Sequence, residues 1–343
     1  MRLRIDAGAL AANWRALDAL SGGASAGAAV KADAYGLGVA QVVPVLRDAG
    51  VRDFFVAHWL EVPAVLAHVP PEQVAVLHGP VTAEDATFAR AVGVRPVINS
   101  VEQAGLWHAA GGGPCDLMVD TGMNRLGLPL PQLSEQDIVR LNVQVLHSHL
   151  ASADEDDLQN RQQLASFRSI GSQFSTARRA LANSAGIALG REFAFDVTRP
   201  GLALYGGIPR PELAGTIRQT AFPQCRILQV RQIDAGDRVG YNGIFTAVAP
   251  MRVGTVALGY ADGFLRAWGG KGALECEGVV LPLLGRVSMD MVIVDLSAAP
   301  DCGPGDWLDV PYDLPTAAAT TGLSQYELLT LLGPRLARTT TGV

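Results

Sequence analysis

Short apolar runs alternate with segments of helical periodicity through the first two-thirds of the chain. A short continuous apolar run is typical of a strand that is buried on both faces. The runs predict strands at Ala28–Val30, Phe54–Trp59, Val74–His78, Pro96–Asn99, Leu117–Asp120, Val143–Ser148, Ala182–Ser184 and Phe195–Thr198.

Helical patterns fill the spaces between these runs, and Asp6 is the predicted N-cap of one more helix before them. The predicted helices are Val39–Ala49, Leu60–His68, Ala83–Ala91, Val101–Ala109, Ser134–Leu141, Leu158–Leu181 and Ala185–Leu189. Strands that each precede a helix or loop in this order predict a (β/α)8 barrel of the TIM type. An open doubly wound sheet is the alternative, but Gly36 and Gly38 do not continue into a dinucleotide fingerprint.

The pattern changes after about Thr216, where strand-like runs are separated by glycine-containing turns. These runs are Ile227–Ile233, Arg238–Tyr241, Met251–Leu258, Gly278–Leu284, Met291–Leu296 and Trp307–Val310, with one helix expected at about 316–332. The sequence therefore predicts two domains, a barrel over residues 1–216 and a mostly β domain over residues 217–343.

Composition narrows the class of protein. The chain has 343 residues, 49% of them hydrophobic, and a net charge of -6, which argues against nucleic acid or an anionic membrane as the main partner. We expect neither a signal peptide nor a membrane span, and hence a cytoplasmic protein. The four cysteines are scattered, so reduced thiols are expected rather than a disulfide or a metal site.

Candidate chemistry follows the predicted strands, where a barrel places its catalytic groups. The strand ends carry an amine, two guanidinium groups, an imidazole and a hydroxyl, at Lys31, Arg125, Arg199, His149 and Ser184. Glycine-containing turns after the last two strands are a common phosphate site in such barrels. A lysine nucleophile that faces a phosphate site predicts a pyridoxal phosphate enzyme.

The chain resembles the bacterial alanine racemase family over nearly its whole length. The resemblance is carried, in order, by Val30–Gly36, Asp120–Gly127, Ser148–Asp154, Arg199–Gly206, Val239–Tyr241, Gly259–Gly263 and Gly285–Asp290. It implies a homodimer with composite active sites, a small amino-acid substrate, and pyridoxal 5'-phosphate on Lys31.

The resemblance also implies the catalytic residues. Lys31 would exchange the α-proton on one face of the cofactor, and Tyr241 of the other subunit would do so on the opposite face. His149, linked onward to Arg199, would support Tyr241, because a free phenol has a pKa of about 10 and needs nearby positive charge to act as a base. Arg199 would face the ring nitrogen and keep it unprotonated, since a guanidinium stays charged.

The remaining implied roles concern binding. Arg125 would hold the substrate carboxylate, with the backbone N–H of Met289 from the second subunit. The phosphate would be bound by Tyr35, Ser184, Gly201, Leu202 and Tyr326. Tyr260 and Asp290 would narrow the entrance and so favour a small side chain. No metal is expected.

Two positions depart from the family pattern. Met118 replaces a lysine that braces the arginine in many members, and Leu37 replaces a histidine. Because Met118 cannot carry a charge, a bound anion or Asn124 is the hypothesis for what braces Arg125. His147 is expected on the other face of its strand, in a structural role.

Alternative functions stay open. The fold could serve serine or a wider range of amino acids, because Met118 puts substrate breadth in doubt. A related two-domain decarboxylase is disfavoured by Arg199, and a non-catalytic pyridoxal phosphate carrier would have no use for an opposing base such as Tyr241.

Overall fold

The computed structural model describes residues 1–170 and 174–342 and divides into two compact units. One unit is Leu10–Arg218, and the other joins Met1–Ala9 to the residues from Gln219 onward. This division departs from the predicted barrel range of 1–216. The first residues group with the second unit because strand Arg2–Asp6 pairs there with strands Ala221–Ile233 and Ala337–Thr341.

The first unit is built on parallel strands; those from Ala28–Ala29 to Arg178–Ala180 form one sheet in chain order, and Val197–Thr198 pairs with Ser25–Ala26. Its strands are Ser25–Ala26, Ala28–Ala29, Phe54–Val56, Val74–Val76, Arg95–Ile98, Pro114–Asp120, Asn142–His147, Arg178–Ala180 and Val197–Thr198, with Leu128–Pro129 added beside Pro114–Asp120. The first two short strands flank Gly27 and run as one. A Cβ at Gly27 would lie 2.7 Å from the carbonyl oxygen of Asp53, so only glycine lets the neighbouring strand approach this closely.

Backbone hydrogen bonds close these strands into a ring. Gly27 N–H donates to Thr198 O at 2.9 Å, and Ala29 N–H donates to Pro200 O at 2.9 Å. On the other side of the last strand, Arg199 N–H donates to Ala182 O at 2.8 Å. The predicted (β/α)8 barrel is confirmed, and the open doubly wound sheet is not the fold of this unit.

Helices cover the outside of the ring. They are Ala7–Leu20, Val39–Ala49, Val62–Leu66, Ala83–Val92, Val101–Ala109, Gln136–Val139, Leu158–Ser169 and Ser184–Leu189. Lys31–Tyr35, directly after the strand Ala28–Ala29, is a short turn with left-handed backbone. Short 3₁₀ turns lie at Trp59–Glu61, Pro71–Gln73, Leu130–Ser134, Arg191–Phe193, Leu202–Tyr205 and Pro211–Leu213.

The seventh strand was predicted in the wrong place. It is Arg178–Ala180 rather than Ala182–Ser184, and the helix before it ends at Ser169 rather than Leu181. The strand was missed because it begins with two consecutive arginines and therefore is not an apolar run. Part of the predicted helix, residues 171–173, lies outside the described residues.

The second unit is a closed, mainly antiparallel sheet. Its strands are Arg2–Asp6, Ala221–Ile233, Met251–Ala257, Ala273–Cys276, Val279–Leu284, Met291–Asp295, Trp307–Asp309 and Ala337–Thr341, with a separate pair Arg238–Val239 and Phe245–Thr246. Ala221–Ile233 is long enough to pair with Arg2–Asp6 at one end and with Met251–Ala257 at the other, which closes the sheet. Short 3₁₀ turns lie at Tyr241–Gly243, Tyr260–Asp262 and Arg266–Trp268.

Two expectations for the second unit were wrong. The single helix expected at about 316–332 is two helices, Leu314–Thr321 and Gln325–Thr330, because Gly322 adopts a left-handed conformation with φ of 76° and Ser324 caps the second helix. Cys276 and Cys302 form a disulfide, which the sequence did not predict because only the folded chain brings together the end of a strand and a turn 26 residues later. Cys115 and Cys225 are free and buried.

The barrel interior is filled by a layer of side chains from successive strands. Phe55, Ala75, Val97, Met118, Val145, Ala180 and Val197 form this cluster, each at most 7% exposed. Such a layer fixes the strand ends relative to one another and therefore fixes the groups that follow them. In residues 1–170 and 174–342, no helix is long and apolar enough to cross a membrane.

Candidate active site

The predicted site residues fall into two groups, one in each unit. Lys31, Tyr35, Arg125, His149, Ser184, Arg199, Gly201 and Leu202 lie in the barrel unit, and Tyr241, Tyr260, Met289, Asp290 and Tyr326 lie in the β unit. The barrel group follows the carboxyl ends of five strands. The roles of these residues stay predictions.

Lys31 begins an unusual turn. Ala32, Asp33, Ala34 and Tyr35 have φ values of 53°, 51°, 53° and 55°, so four consecutive residues with side chains form a left-handed turn. Each such residue is disfavoured by about 1 kcal/mol or more, and backbone strain of this kind is concentrated at functional sites. Glu61 helps to hold the turn, since its carboxylate accepts the Ala32 N–H at 2.6 Å.

The amine of Lys31 is partly buried at the barrel mouth. Burial lowers the pKa of this amine, and the nearby Arg125 and Arg199 guanidinium groups lower it further, while Glu61 opposes them. A lysine that loses its proton more easily is a better nucleophile toward a carbonyl.

The loop that carries Arg125 is held by Asp120. The Oδ1 atom of Asp120 accepts the backbone N–H groups of Gly122 and Met123, each at 2.9 Å, and Asn124 has a φ of 55°. Arg125 itself is exposed, and it makes no hydrogen bond or ion pair with a residue of the described ranges. Its guanidinium is therefore open to an anionic ligand.

His149 follows the sixth strand of the ring and is mostly buried. Burial, together with the positive charges of Arg199, Arg125 and Lys31, lowers the pKa of His149 to about 3. Its imidazole is therefore neutral at pH 7, and the positive charge around the site comes from the lysine and the two arginines.

Arg199 is held by the barrel wall. Nη1 donates to Ala180 O at 2.7 Å and Nη2 donates to Ser148 O at 2.6 Å, and Arg199 is 7% exposed. Its side-chain contact is with His147, whose Nδ1 lies 3.3 Å from Nη1. No hydrogen bond joins Arg199 to His149 in the described part of the chain, so the implied link between those two residues is electrostatic here.

The expected placement of His147 was wrong. His147 and His149 are two positions apart, and residues two apart lie on the same face of a strand. His147 is fully buried inside the barrel and its ring meets Phe55 edge-on, with centroids 5.8 Å apart. The spacing of two residues between His147 and His149 can be seen in the sequence. The hydrogen bond between His147 and Arg199 cannot.

The predicted phosphate site is a tight turn. The Ser184 hydroxyl accepts the backbone N–H groups of Gly201 at 2.9 Å and Ala203 at 3.1 Å. A Cβ at position 201 would lie 2.2 Å from the Tyr35 hydroxyl, so glycine is required there. The Tyr35 ring stacks on Tyr205 with centroids 4.8 Å apart, which fixes the phenol beside this turn.

Gln163 is a buried residue that the sequence did not single out. Its side-chain amide donates to His149 O at 2.9 Å and to the Thr121 hydroxyl at 3.2 Å, and its oxygen accepts the Ala151 N–H at 2.9 Å. It therefore ties together the loops that carry Arg125 and His149. A glutamine on a polar helix gives no sequence signal for such a role.

In the β unit, Tyr241 and Met289 are strongly exposed, at 70% and 53%. Tyr241 begins a 3₁₀ turn after Gly240, which has a φ of 69°. Asp290 is exposed and pairs with Arg335 at 2.7 Å, and Tyr260 begins the turn that Asp262 caps. Tyr326 lies in helix Gln325–Thr330 and is 43% exposed.

Comparison with known proteins identifies the family. Residues 5–209 match the model of the alanine racemase N-terminal domain, and residues 222–340 match the model of the alanine racemase C-terminal domain. The chain belongs to the alanine racemase family. The family recognised from the motifs is confirmed.

Individual relatives cover almost the whole chain. An alanine racemase of Acidiphilium cryptum is 40% identical over 98% of this chain and 97% of its own length, and one of Cereibacter sphaeroides is 41% identical over the same shares. The crystal structure of alanine racemase from Bartonella henselae with covalently bound pyridoxal phosphate superimposes with a TM-score of 0.91, at 34% identity over 99% of both chains. Alanine racemases are isomerases, so the chain is an enzyme of that class.

The barrel residues fit pyridoxal phosphate. The lowered pKa of Lys31 favours its attack on an aldehyde, and the turn at Gly201 leaves no room for a side chain beside Tyr35. The Nε–H of Arg199 is the guanidinium donor left without a partner among the described residues, so it is available to a ring nitrogen.

Proposed function

We propose that this member of the alanine racemase family interconverts L-alanine and D-alanine with pyridoxal 5'-phosphate bound on Lys31. The observation that carries the proposal is the convergence of Lys31, Arg125, His149 and Arg199, whose charges act on one another at the barrel mouth. The Lys31 amine and the two guanidinium groups beside it form a site for a dianionic cofactor and a substrate carboxylate. The near-complete match to alanine racemases supports the same substrate.

The barrel residues would hold the cofactor. Pyridoxal phosphate supplies an electron sink that weakens the bond between the α-carbon of the amino acid and its hydrogen. Lys31 would bond to its aldehyde carbon, and Tyr35, Ser184, Gly201 and Leu202 would bind its phosphate. Tyr326 would also bind the phosphate. Arg199 would donate its Nε–H to the ring nitrogen of the cofactor.

Two bases on opposite faces would carry the proton. The substrate amino group would replace Lys31 at the aldehyde carbon, which would free Nζ as an amine. Lys31 Nζ would then take or return the α-proton on the face that belongs to D-alanine, and Tyr241 Oη of a second copy would do so on the face of L-alanine. One base removes a proton and the other supplies one, so the reaction needs no added acid. The exposure of Tyr241 supports a role outside its own chain, because 70% of its surface is available to a partner.

His149 would tune Tyr241 as a neutral group. Since its pKa is lowered to about 3, the imidazole can accept a hydrogen bond from the phenol instead of supplying charge. The positive charge that makes the phenol more acidic would come from Lys31, Arg125 and Arg199 across the site.

Arg125 would bind the substrate carboxylate, with the Met289 N–H of the second copy beside it. Tyr260 and Asp290 would narrow the entrance and favour a methyl side chain. A broader specificity that includes serine is the second candidate. It is favoured by Met118, which packs in the barrel core and leaves Arg125 without a brace from that position.

The physiological role would be supply of D-alanine for peptidoglycan, in the cytoplasm and as a homodimer. A disulfide is uncommon in the cytoplasm, so the Cys276–Cys302 pair does not support the location. The role rests on the activity, which is the part to measure first.

The test is racemisation by the purified protein loaded with pyridoxal phosphate. L-alanine and L-serine are incubated separately, and each D-isomer is measured by chiral chromatography. We expect rapid formation of D-alanine and much slower formation of D-serine. Comparable turnover of both would establish the broader racemase, and bound cofactor with neither product would overturn the proposal in favour of a carrier or decarboxylase.

A further inference from the structure

A chain of buried polar groups begins at Arg199 and runs through the barrel interior. Nη1 of Arg199 donates to His147, and His147 in turn contacts Asp116, whose Oδ2 lies 3.1 Å from Nε2. The other oxygen of Asp116 accepts from Arg95 Nε at 3.1 Å, and Arg95 continues to Asp53. His147 and Asp116 are fully buried.

The hydrogen bonds determine the state of His147. A guanidinium group has donors and no acceptor, so Nδ1 of His147 must present its lone pair to Arg199. The ring proton then sits on Nε2 and is donated to Asp116. Burial, with the charges of Arg199 and Arg95, lowers the pKa of His147 against the opposing effect of Asp116, which agrees with a neutral ring.

This arrangement leaves Arg199 fully cationic. The carboxylate of Asp116 balances the charge of Arg199 from the far side of the neutral His147 ring. Asp116 forms no direct hydrogen bond with Arg199. Four hydrogen bonds engage Nη1 and Nη2, to His147, Ala180, Ser148 and Leu181, the last at a long 3.5 Å. The Nε–H of Arg199 is therefore the donor available to the site. The four hydrogen bonds of the two Nη atoms fix the direction in which it points.

A purely structural reason for these groups is weak. Burying charged groups costs several kcal/mol per ion before their mutual attraction is counted, and apolar residues of similar size often serve stability as well or better. Phe55, Val97, Met118 and Val145 fill neighbouring positions of the same interior, so apolar packing is available there.

We propose that His147 is a positioning residue for the racemase reaction: its Nδ1 lone pair holds Nη1 of Arg199 and thereby sets the hydrogen bond that Nε gives to the cofactor ring. Asp116 has the supporting role of fixing the tautomer. The proposal rests on the proposed function, because it needs pyridoxal phosphate on Lys31.

Three substitutions at position 147 separate positioning from stability. His147→Asn places an amide oxygen close to where Nδ1 stands, because both atoms are bonded to Cγ, and this oxygen is an acceptor without help from Asp116. His147→Gln reaches toward Asp116 but offers no acceptor at the Nδ1 position, and His147→Leu removes both contacts. Val145→Ala, two residues earlier in the same core, is the control for lost stability alone.

The readouts are the absorption spectrum of the bound cofactor across pH, kcat and KM for alanine, and the melting temperature. We expect the leucine and glutamine variants to shift the spectrum and lower kcat by about 10- to 100-fold with little change in KM, as small misplacements of a catalytic group do. The asparagine variant should keep the wild-type spectrum and stay within a few fold of its kcat, although it melts lower.

The opposite pattern would overturn the proposal. If the glutamine and asparagine variants match each other in spectrum and kcat, or if activity follows melting temperature through Val145→Ala as well, His147 acts only through stability. Should the leucine variant fail to fold, the comparison of asparagine with glutamine still decides. A wild-type protein that binds cofactor but does not racemise alanine would instead contradict the proposed function.

Discussion

The side-chain hydroxyl of Ser184 accepts a hydrogen bond from the backbone N–H of Gly201 at 2.9 Å. The two residues follow successive strands of the ring, so this bond joins the last two strand ends directly. Both residues are buried, and the same hydroxyl also accepts the Ala203 N–H. The turn that is proposed to bind phosphate is thus fixed by the barrel before any ligand arrives.

Gly201→Ala should disrupt this turn. The new Cβ would lie 2.2 Å from the Tyr35 hydroxyl and 2.8 Å from its ring, so Tyr35 or the turn must move. We expect a loss of about 1–3 kcal/mol in the free energy of unfolding, as for other overpacked sites, and weaker cofactor binding. Chemical denaturation and titration with pyridoxal phosphate measure the two effects.

Gly105→Ala is the matched control for that substitution. Gly105 lies in helix Val101–Ala109, and a Cβ there would meet no atom within 4 Å. Alanine should stabilise this helix by about 0.5–1 kcal/mol and leave cofactor affinity unchanged. Unaltered cofactor affinity in Gly201→Ala would show that the turn is not the phosphate site.

Composite active sites predict complementation between two inactive variants. Lys31→Ala and Tyr241→Phe should each abolish racemisation on its own. In a mixed dimer, one of the two sites combines an intact Lys31 with an intact Tyr241 of the partner. After the two variants are mixed and their subunits exchange at random, activity should return to about a quarter of the wild-type value. If mass spectrometry shows subunit exchange but activity does not return, Lys31 and Tyr241 act within the same subunit.

Lys31→Met should stabilise the protein in the absence of cofactor. The pKa of Lys31 is lower in the folded protein than its usual 10.5, so folding disfavours the charged amine and the penalty is largest at low pH. The free energy of unfolding of the variant should exceed that of the wild type at pH 7, where the wild-type amine is charged in the unfolded chain. The difference should shrink as the pH rises toward 10.5, and urea denaturation across this range would reveal it. A difference that does not change with pH would contradict the assigned cause.

His149 should make the protein sensitive to acid. Its pKa falls from about 6.5 in the unfolded chain to about 3 in the folded protein, so between these values the unfolded chain binds the additional proton. The free energy of unfolding should therefore decrease as the pH falls below 6.5, by at most about 1.4 kcal/mol per pH unit from this residue. His149→Asn should flatten this decrease, as measured by urea denaturation at several pH values. Equal slopes in the wild type and the variant would assign the acid sensitivity to other groups.

Periodicity and motifs predicted much of this protein because they depend on local chemistry. Buried parallel strands need apolar runs, and a tight turn beside a ring needs glycine, so strands such as Val74–Val76 and the turn at Gly201 are visible in the chain. The same reasoning failed at Arg178–Ala180. Arg178 reaches an ion-pair partner in Asp53 and Arg179 stacks on Phe167, and these distant partners give a charged segment its place in the sheet.

The sequence by itself determined the family, the barrel with its β domain, and the residue types that meet at the strand ends. Tertiary structure alone decided which of those groups touch. It joined Arg199 to His147 across 52 positions, carried strand Arg2–Asp6 into the β unit, and paired Cys276 with Cys302. The reason is that hydrogen bonds, ion pairs and disulfides act over a few ångströms in space, and only the folded path of the chain sets which side chains come that close.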